Sequence, residues 1–401
     1  DGIRGFCMIW VICTHSWIWL MWRHQGEEEY ERLMFSPIMR FIRNGEYSVD
    51  AFFVLSGFLI AHVLIREYEK AGSINYKMFF FRRFMRIAPT LYFSLAVFTP
   101  ILSAINCPNC QTCVETGWAN VLFVNNFIPN FFSCMGWTWS IAVEVQFYIL
   151  TPLLLLPLHK HRKAGFAFLL FLLAVAIVVR GVVLYVTDTY NHPDPGTFMD
   201  AVYVKPYTRA SPYIIGLLLA GVWAVVRQYG TSWTPSRRTD MLLFVAQVLS
   251  WTTIVLLFAL GTGWRPARPA AEWFVLYFIG RTVFAVAVAV IVFCVLLTPM
   301  VMPKPSAVAV TSAVSVSVVG GDDQTLASPS AASLRAAAAS TEACSAEKAA
   351  ARIRTAFGCP SRHGAQAPLL TYPARAFRWF MMWRVWWVAS QLSYPAYIVH
   401  P

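Results

Sequence analysis

The chain has 401 residues, of which 58% are hydrophobic and only 13% charged, with 30 Phe, 16 Trp and 16 Tyr. Polar surface is too scarce to cover that much apolar area, which excludes a soluble globular protein. The net charge of +12 calls for no nucleic acid, because basic loops beside anionic lipid account for it.

Apolar runs approaching the roughly 20 residues of a membrane span occur at about 4–22, 49–65, 87–105, 138–158, 165–186, 212–227, 241–261 and 273–299. The expected fold is all-α, a polytopic transmembrane helical bundle with eight complete spans in residues 1–299. A C-terminal aromatic segment, 378–401, belongs to the same bundle and is incomplete. The first run has no leader cleavage pattern and reads as a retained helix. The chain starts without Met and stops in "LSYPAYIVHP", where an apolar segment is beginning, so it reads as a fragment.

Basic residues assign the orientation, because Lys and Arg accumulate in short cytoplasmic loops. Connection 66–86 holds Arg66, Lys70, Lys77, Arg82, Arg83 and Arg86; 159–163 holds Lys160, Arg162 and Lys163; 227–238 holds Arg227, Arg237 and Arg238. The opposite connections are longer in total and carry fewer, with none in 106–137. The even-numbered loops, and the start of the chain, are expected to be cytoplasmic.

Residues 303–368 turn to Ala, Ser, Val and Thr, as in "SAVAVTSAVSVSVVGGDDQTLASPSAASLRAAAAS", and lack the side chains for a core. They read as a disordered cytoplasmic insertion. Cys107, Cys110, Cys113 and Cys134 all fall in the non-cytoplasmic loop without a basic residue. Outside the cytosol thiols oxidise, so "CPNCQTC" is expected to form disulfides, in any of three pairings or as one bridge from Cys134 with the other thiols free, and no metal site is expected. Cys7, Cys13 and Cys294 lie in apolar runs and read as packing residues.

Polar side chains inside spans are costly unless they face the protein interior, so they mark candidate function. The first run carries Arg4 and His15, eleven residues apart and therefore on one face of a helix; His15 has the pKa of a general base near neutrality. "FFVLSGFLI" supplies Ser56 and Gly57, small residues that let helices approach. "RRFMRIAP" sets Arg83 and Arg86 on one face beside Arg82, an arrangement suited to phosphate as well as to membrane anchoring. "WTWSIAVEVQFY" lines Ser140, Glu144 and Tyr148 along one stripe.

Taken in order, "DGIRG" with His15, "FFVLSGFLI", "RRFMRIAP", "WTWSIAVEVQFY" and "LSYPAYIVHP" resemble the successive motifs of the acyltransferase 3 family of integral membrane acyltransferases. "CMGWTWS", "KPYTRASPYIIG" and "GRTVFAVAVAV" further resemble its nose-resistant-to-fluoxetine-like branch. The likeness covers about 1–299 and 378–401 and skips the insertion. It implies about ten spans and transfer of an acyl group, often acetyl from a CoA thioester, to a carbohydrate or lipid acceptor beyond the membrane. It also links activity to Arg4, His15, Arg83 and Arg86.

On that reading the protein is a membrane-embedded acyltransferase whose partners are acyl-CoA, the acceptor and membrane lipid, with acyl-CoA as co-substrate and no permanently bound cofactor. Arg4, Arg83 and Arg86 bind the donor, His15 and Glu144 are catalytic, and Ser140, Tyr148 and Ser56 position the acceptor or serve the structure. His15 lies seven residues below Trp22 and Glu144 seven below Trp137. Both are then expected at a depth of roughly 10 Å, where Glu144 would orient the imidazole. The competing expectation pairs Glu144 with Arg180 or Arg281. No Ser or Cys stands out as a nucleophile, which favours direct transfer. The alternative function is a transporter or flippase for lipids or hydrophobic small molecules, which would use Arg180, Lys205, Arg209 and Arg281 as substrate contacts.

Overall fold

The computed structural model describes residues 2–23, 36–104, 110–129, 132–189, 194–228, 236–260, 270–301, 377, 380 and 381. The insertion expected over 303–368 and nearly all of 378–401 lie outside the described residues, as does Cys107. Among the described residues the structure is helical and contains no strand.

The helices are α1 (Gly2–Arg23), α2 (Pro37–Arg43), α3 (Glu46–Ala71), α4 (Tyr76–Ala104), α5 (Cys110–Val121), α6 (Trp139–Lys160), α7 (Arg162–Val186), α8 (Pro195–Phe198), α9 (Pro206–Gln228), α10 (Arg237–Leu260), α11 (Ala270–Val275) and α12 (Arg281–Val301). Wide π turns over Met199–Tyr203 and Leu276–Gly280 lead toward α9 and α12. Among the described residues six segments, containing α3, α6, α7, α9, α10 and α12, are long and apolar enough to cross a membrane. The other two runs read from sequence fall in α1 and α4, of 22 and 29 residues. The protein is an integral, multi-pass membrane protein.

Helix α3 is the hub, packed against α1, α6, α9 and α12. Its crossing with α9 brings two backbones together. A Cβ on Gly57 would stand 2.4 Å from the Tyr213 carbonyl oxygen, and one on Gly216 2.2 Å from that of Val54. Only glycine fits both faces of such a contact. Gly57→Ala or Gly216→Ala is therefore expected to force the helices apart and cost about 1–3 kcal/mol, as overpacking does. A thermal-unfolding series in lipid, with Gly117→Ala as control because nothing lies within 4 Å of its Cβ position, checks it.

Side-chain contacts fix the register of the helices. Phe53 meets Trp139 with ring centroids 6.5 Å apart, Ser56 hydrogen-bonds Glu144, and Tyr68 meets His159 at 4.5 Å. Helices α3 and α6 therefore run parallel. Thr14 Oγ1 donates to the Ile42 carbonyl at 2.7 Å and fills the space beside Gly45, whereas Arg4 shares a cavity with Ser56. Helix α1 runs antiparallel to α3.

Before α6 the chain dips into the bundle. Asn120 and Asn125 donate to Thr138 Oγ1 at 2.9 and 3.2 Å, and Gln146 Nε2 donates to the Phe123 carbonyl at 2.8 Å. Irregular backbone at membrane depth is tolerated where side chains satisfy it in this way. A Cys113–Cys134 disulfide joins α5 to the turn before α6, which selects one bridge among the pairings open in the sequence. Cys7 and Cys294 are buried as expected, but Cys13 is exposed.

The basic connections gather at one end of the bundle. There Arg227 pairs with Glu69, and Arg162 Nη1 donates to Gln228 Oε1 at 2.9 Å. Cross-helix contacts at this basic end tie α3, α7 and α9 together.

Candidate functional site

A cavity of about 90 Å³ opens between α1, α3, α4 and α6, lined by Arg4, Met8, Val49, Phe52, Phe53, Ser56, Arg86, Ile87, Ser140, Ile141, Glu144 and Tyr148. Six of the eight candidate site residues singled out from the sequence meet here. Arg83, on the same helix as Arg86, lies within electrostatic range of Glu144, Tyr148 and Arg4 and stands against the Phe79 ring at 6.0 Å. Arg86 is exposed and Arg83 half-buried. The guanidiniums thus crowd one side of a cavity whose carboxylate is Glu144.

Two hydroxyls converge on that carboxylate. Ser56 Oγ donates to Glu144 Oε1 at 2.5 Å, and the Tyr148 phenol donates to the same oxygen. Tyr148 and Glu144 face each other because they are four residues apart on α6, while Ser56 reaches across from α3. Thr151 and Tyr213 share a hydrogen bond of 2.6 Å in the next layer of the bundle.

His15 stands elsewhere. By the register of α1 on α3 it opposes the start of α3, eleven residues from the level of Ser56 and Glu144, or roughly 16 Å along the axis. Its Nδ1 donates to the Val11 carbonyl at 2.9 Å, so the neutral ring carries its basic lone pair on Nε2. Arg4, and not His15, is the α1 residue level with Glu144. The expectation of equal depth fails because α6 starts level with the middle of α1 and not with its end. By the α3–α6 register Trp137 stands level with Trp10, twelve residues short of Trp22, because the segment before it dips inward. The alternative pairing of Glu144 with Arg180 or Arg281 is not made either, since both arginines are engaged elsewhere.

Those engagements form a cluster that sequence reasoning passed over. Asp50 Oδ1 accepts from Arg209 Nη1 at 2.9 Å and Asp50 Oδ2 from Arg281 Nη1 at 2.7 Å, while Arg281 Nη2 reaches Glu46 at 2.6 Å. The Arg209 guanidinium also lies over the rings of Tyr203 and Trp139, at 4.1 and 5.3 Å. Arg180 donates to the Thr208 carbonyl and to Ser211 Oγ at 2.8 and 2.6 Å. Lys205 donates to the Asn126 carbonyl at 2.8 Å, and burial pushes its ammonium pKa below the ordinary value, with Asp200 opposing. An aspartate inside the apolar run 49–65 was the available signal.

Comparison with known proteins matches residues 1–316 to a family profile described as an acyltransferase domain. Nose resistant to fluoxetine protein 6 of Caenorhabditis elegans is 28% identical over 338 residues, covering 73% of this chain and 40% of that protein. Regulator of hypoxia-inducible factor 1 of the same organism is 26% identical over 280 residues, with 62% and 56% covered. Peptidoglycan O-acetyltransferase OatA of Listeria monocytogenes is 30% identical over 280 residues, with 66% and 40% covered. The chain spans about half or less of the length of these relatives. No solved structure matches it.

Proposed function

The chain belongs to the acyltransferase 3 family, whose profile covers residues 1–316, and from that premise we propose that it moves an acyl group from a cytoplasmic acyl-CoA to a hydroxyl of a carbohydrate or lipid acceptor at or beyond the membrane. The observation that carries this reading is the single carboxylate, Glu144, receiving two hydroxyls in a cavity bordered by Arg4 and Arg86. The name of the Listeria relative supports acetyl as the group.

In this proposal the donor's phosphates meet Arg83 and Arg86 at the basic end, with Arg4 deeper in, and the thioester reaches the level of Glu144. Planar guanidiniums suit that task because they grip phosphate oxygens in pairs. Glu144 takes the proton of the attacking hydroxyl. His15, nearer the opposite end, contacts the acceptor away from its reacting hydroxyl. Weighing against the transporter alternative, Arg180, Lys205, Arg209 and Arg281 each hold protein partners.

Purified protein in lipid, given labelled acetyl-CoA, should release CoA faster when carbohydrate or lipid hydroxyls are added. Release at the uncatalysed rate under all acceptors would overturn the reading. Arg83→Lys and Arg86→Lys keep the charge but lose the planar fork, so the KM for acetyl-CoA should rise about tenfold with kcat little changed. A titration of initial rates checks this, and an unaltered KM would leave the two arginines as surface anchors only.

A further inference from the structure

Hydroxyls inside these helices usually turn back on their own backbone. Thr151, Thr187 and Ser250 each donate to the carbonyl four residues earlier, at 2.7–2.8 Å. That is the ordinary satisfaction of a mid-helix Ser or Thr. Ser56, ten residues into α3, instead aims its hydroxyl across the cavity at Glu144 Oε1. Its backbone is held in place by the Gly57–Gly216 crossing one residue on, so the hydroxyl sits on a rigid element, as a nucleophile's must.

We propose that Ser56 is a covalent acyl carrier, holding the acyl group as an ester on Oγ between donor and acceptor. The proposal rests on the reading of the cavity as the site of acyl transfer. In the first step Oγ attacks the thioester carbonyl carbon and its proton passes to Glu144. The C–S bond then breaks, and the departing thiolate takes that proton to leave as CoA thiol. In the second step the acceptor hydroxyl adds to the ester carbonyl and gives its proton to Glu144. The bond from the acyl carbon to Oγ breaks, and Ser56 recovers the proton. The sum is thioester plus alcohol giving ester plus thiol, with no oxidant or reductant. This is the activated-nucleophile arrangement, a hydroxyl on a base that a third group orients, with Tyr148 as that third group. Arg4 and Arg86 are the two cations lining the cavity, and the proposal assigns Arg4 to the developing oxyanion.

A carrier lets the donor leave before the acceptor enters. It also gives His15 a separable role, because an acceptor contact remote from Ser56 serves only the second step.

The experiment uses the full chain in lipid nanodiscs with labelled acetyl-CoA and no acceptor, quenched in acid and mapped by peptide mass spectrometry. One acetyl per chain is expected on Ser56, with an equal burst of CoA, removable by hydroxylamine. Ser56→Ala should slow the burst at least about 100-fold, since removing a nucleophile leaves only residual catalysis. Ser56→Cys should carry the label as a thioester that hydroxylamine cleaves at neutral pH. His15→Ala should still accumulate the ester while failing to pass it on. CoA release by wild type with no label on Ser56, label on Tyr148 instead, or an intact burst in Ser56→Ala would overturn the carrier and leave acyl transfer standing. Absence of any CoA release by wild type, with and without acceptors, would overturn the acyl-transfer reading and the carrier with it.

Discussion

Acyl transfer is expected to fall by about 10²–10⁴-fold when Glu144 is replaced by glutamine, the range typical of a lost general base. The amide keeps the shape of the carboxylate, and its oxygen still accepts from Ser56 and Tyr148, the two partners that Glu144 holds in the cavity. What it cannot do is take a proton. The loss should therefore appear in kcat, with acetyl-CoA affinity and thermal stability close to wild type. CoA release together with donor binding by the purified variant separates the two. Retention of activity within tenfold would reduce Glu144 to a structural acceptor. Glu144→Ala is a poorer test, because it also strands two buried hydroxyls.

The second large effect lies away from the cavity. Asp50→Ala leaves Arg209 and Arg281 facing each other without the carboxylate that neutralises both, in a place where Asp50 is 0% and Arg209 1% exposed. Removing one member of a buried ion pair costs about 3–5 kcal/mol, chiefly through the charge left behind. The bundle should unfold at much lower temperature or fail to accumulate. Glu46→Ala removes the other acidic partner of Arg281, yet Glu46 is 18% exposed, so water replaces part of what is lost and the cost should be clearly smaller. Fluorescence-detected size-exclusion profiles after heating rank the two variants. Equal stability of Asp50→Ala and wild type would show that the cluster contributes nothing to the fold.

The all-helical membrane bundle was legible in the sequence because apolar runs and loop charge are properties of single segments. The same holds for Ser140, Glu144 and Tyr148, whose spacing alone places them on one stripe of α6. The depth of His15 was not legible, because it depends on where another helix begins. Trp137 looks like an interfacial aromatic, but buried Asn120 and Asn125, with half-buried Gln146, allow the chain to enter the bundle before α6 starts. Glu144 consequently faces Arg4 instead of His15. Ser56 was read as a packing residue because its Gly57 neighbour does pack closely; its hydroxyl acquires meaning only from a partner 88 residues away. Asp50 was overlooked for a similar reason, since its partners lie 159 and 231 residues further on.

Those separations also set a timetable for biosynthesis. Asp50 enters the membrane with α3, long before the ribosome has made either arginine that neutralises it. At synthesis rates of roughly 5–20 residues per second, the second partner emerges about 10–50 seconds later. During that interval the young chain holds an ionised or protonated acid without its final partners, a state that lipid does not tolerate well. Nascent α3 must therefore wait against the insertion machinery or at the bilayer surface until α9 and α12 arrive, so that later-made spans complete the burial of an acid made early.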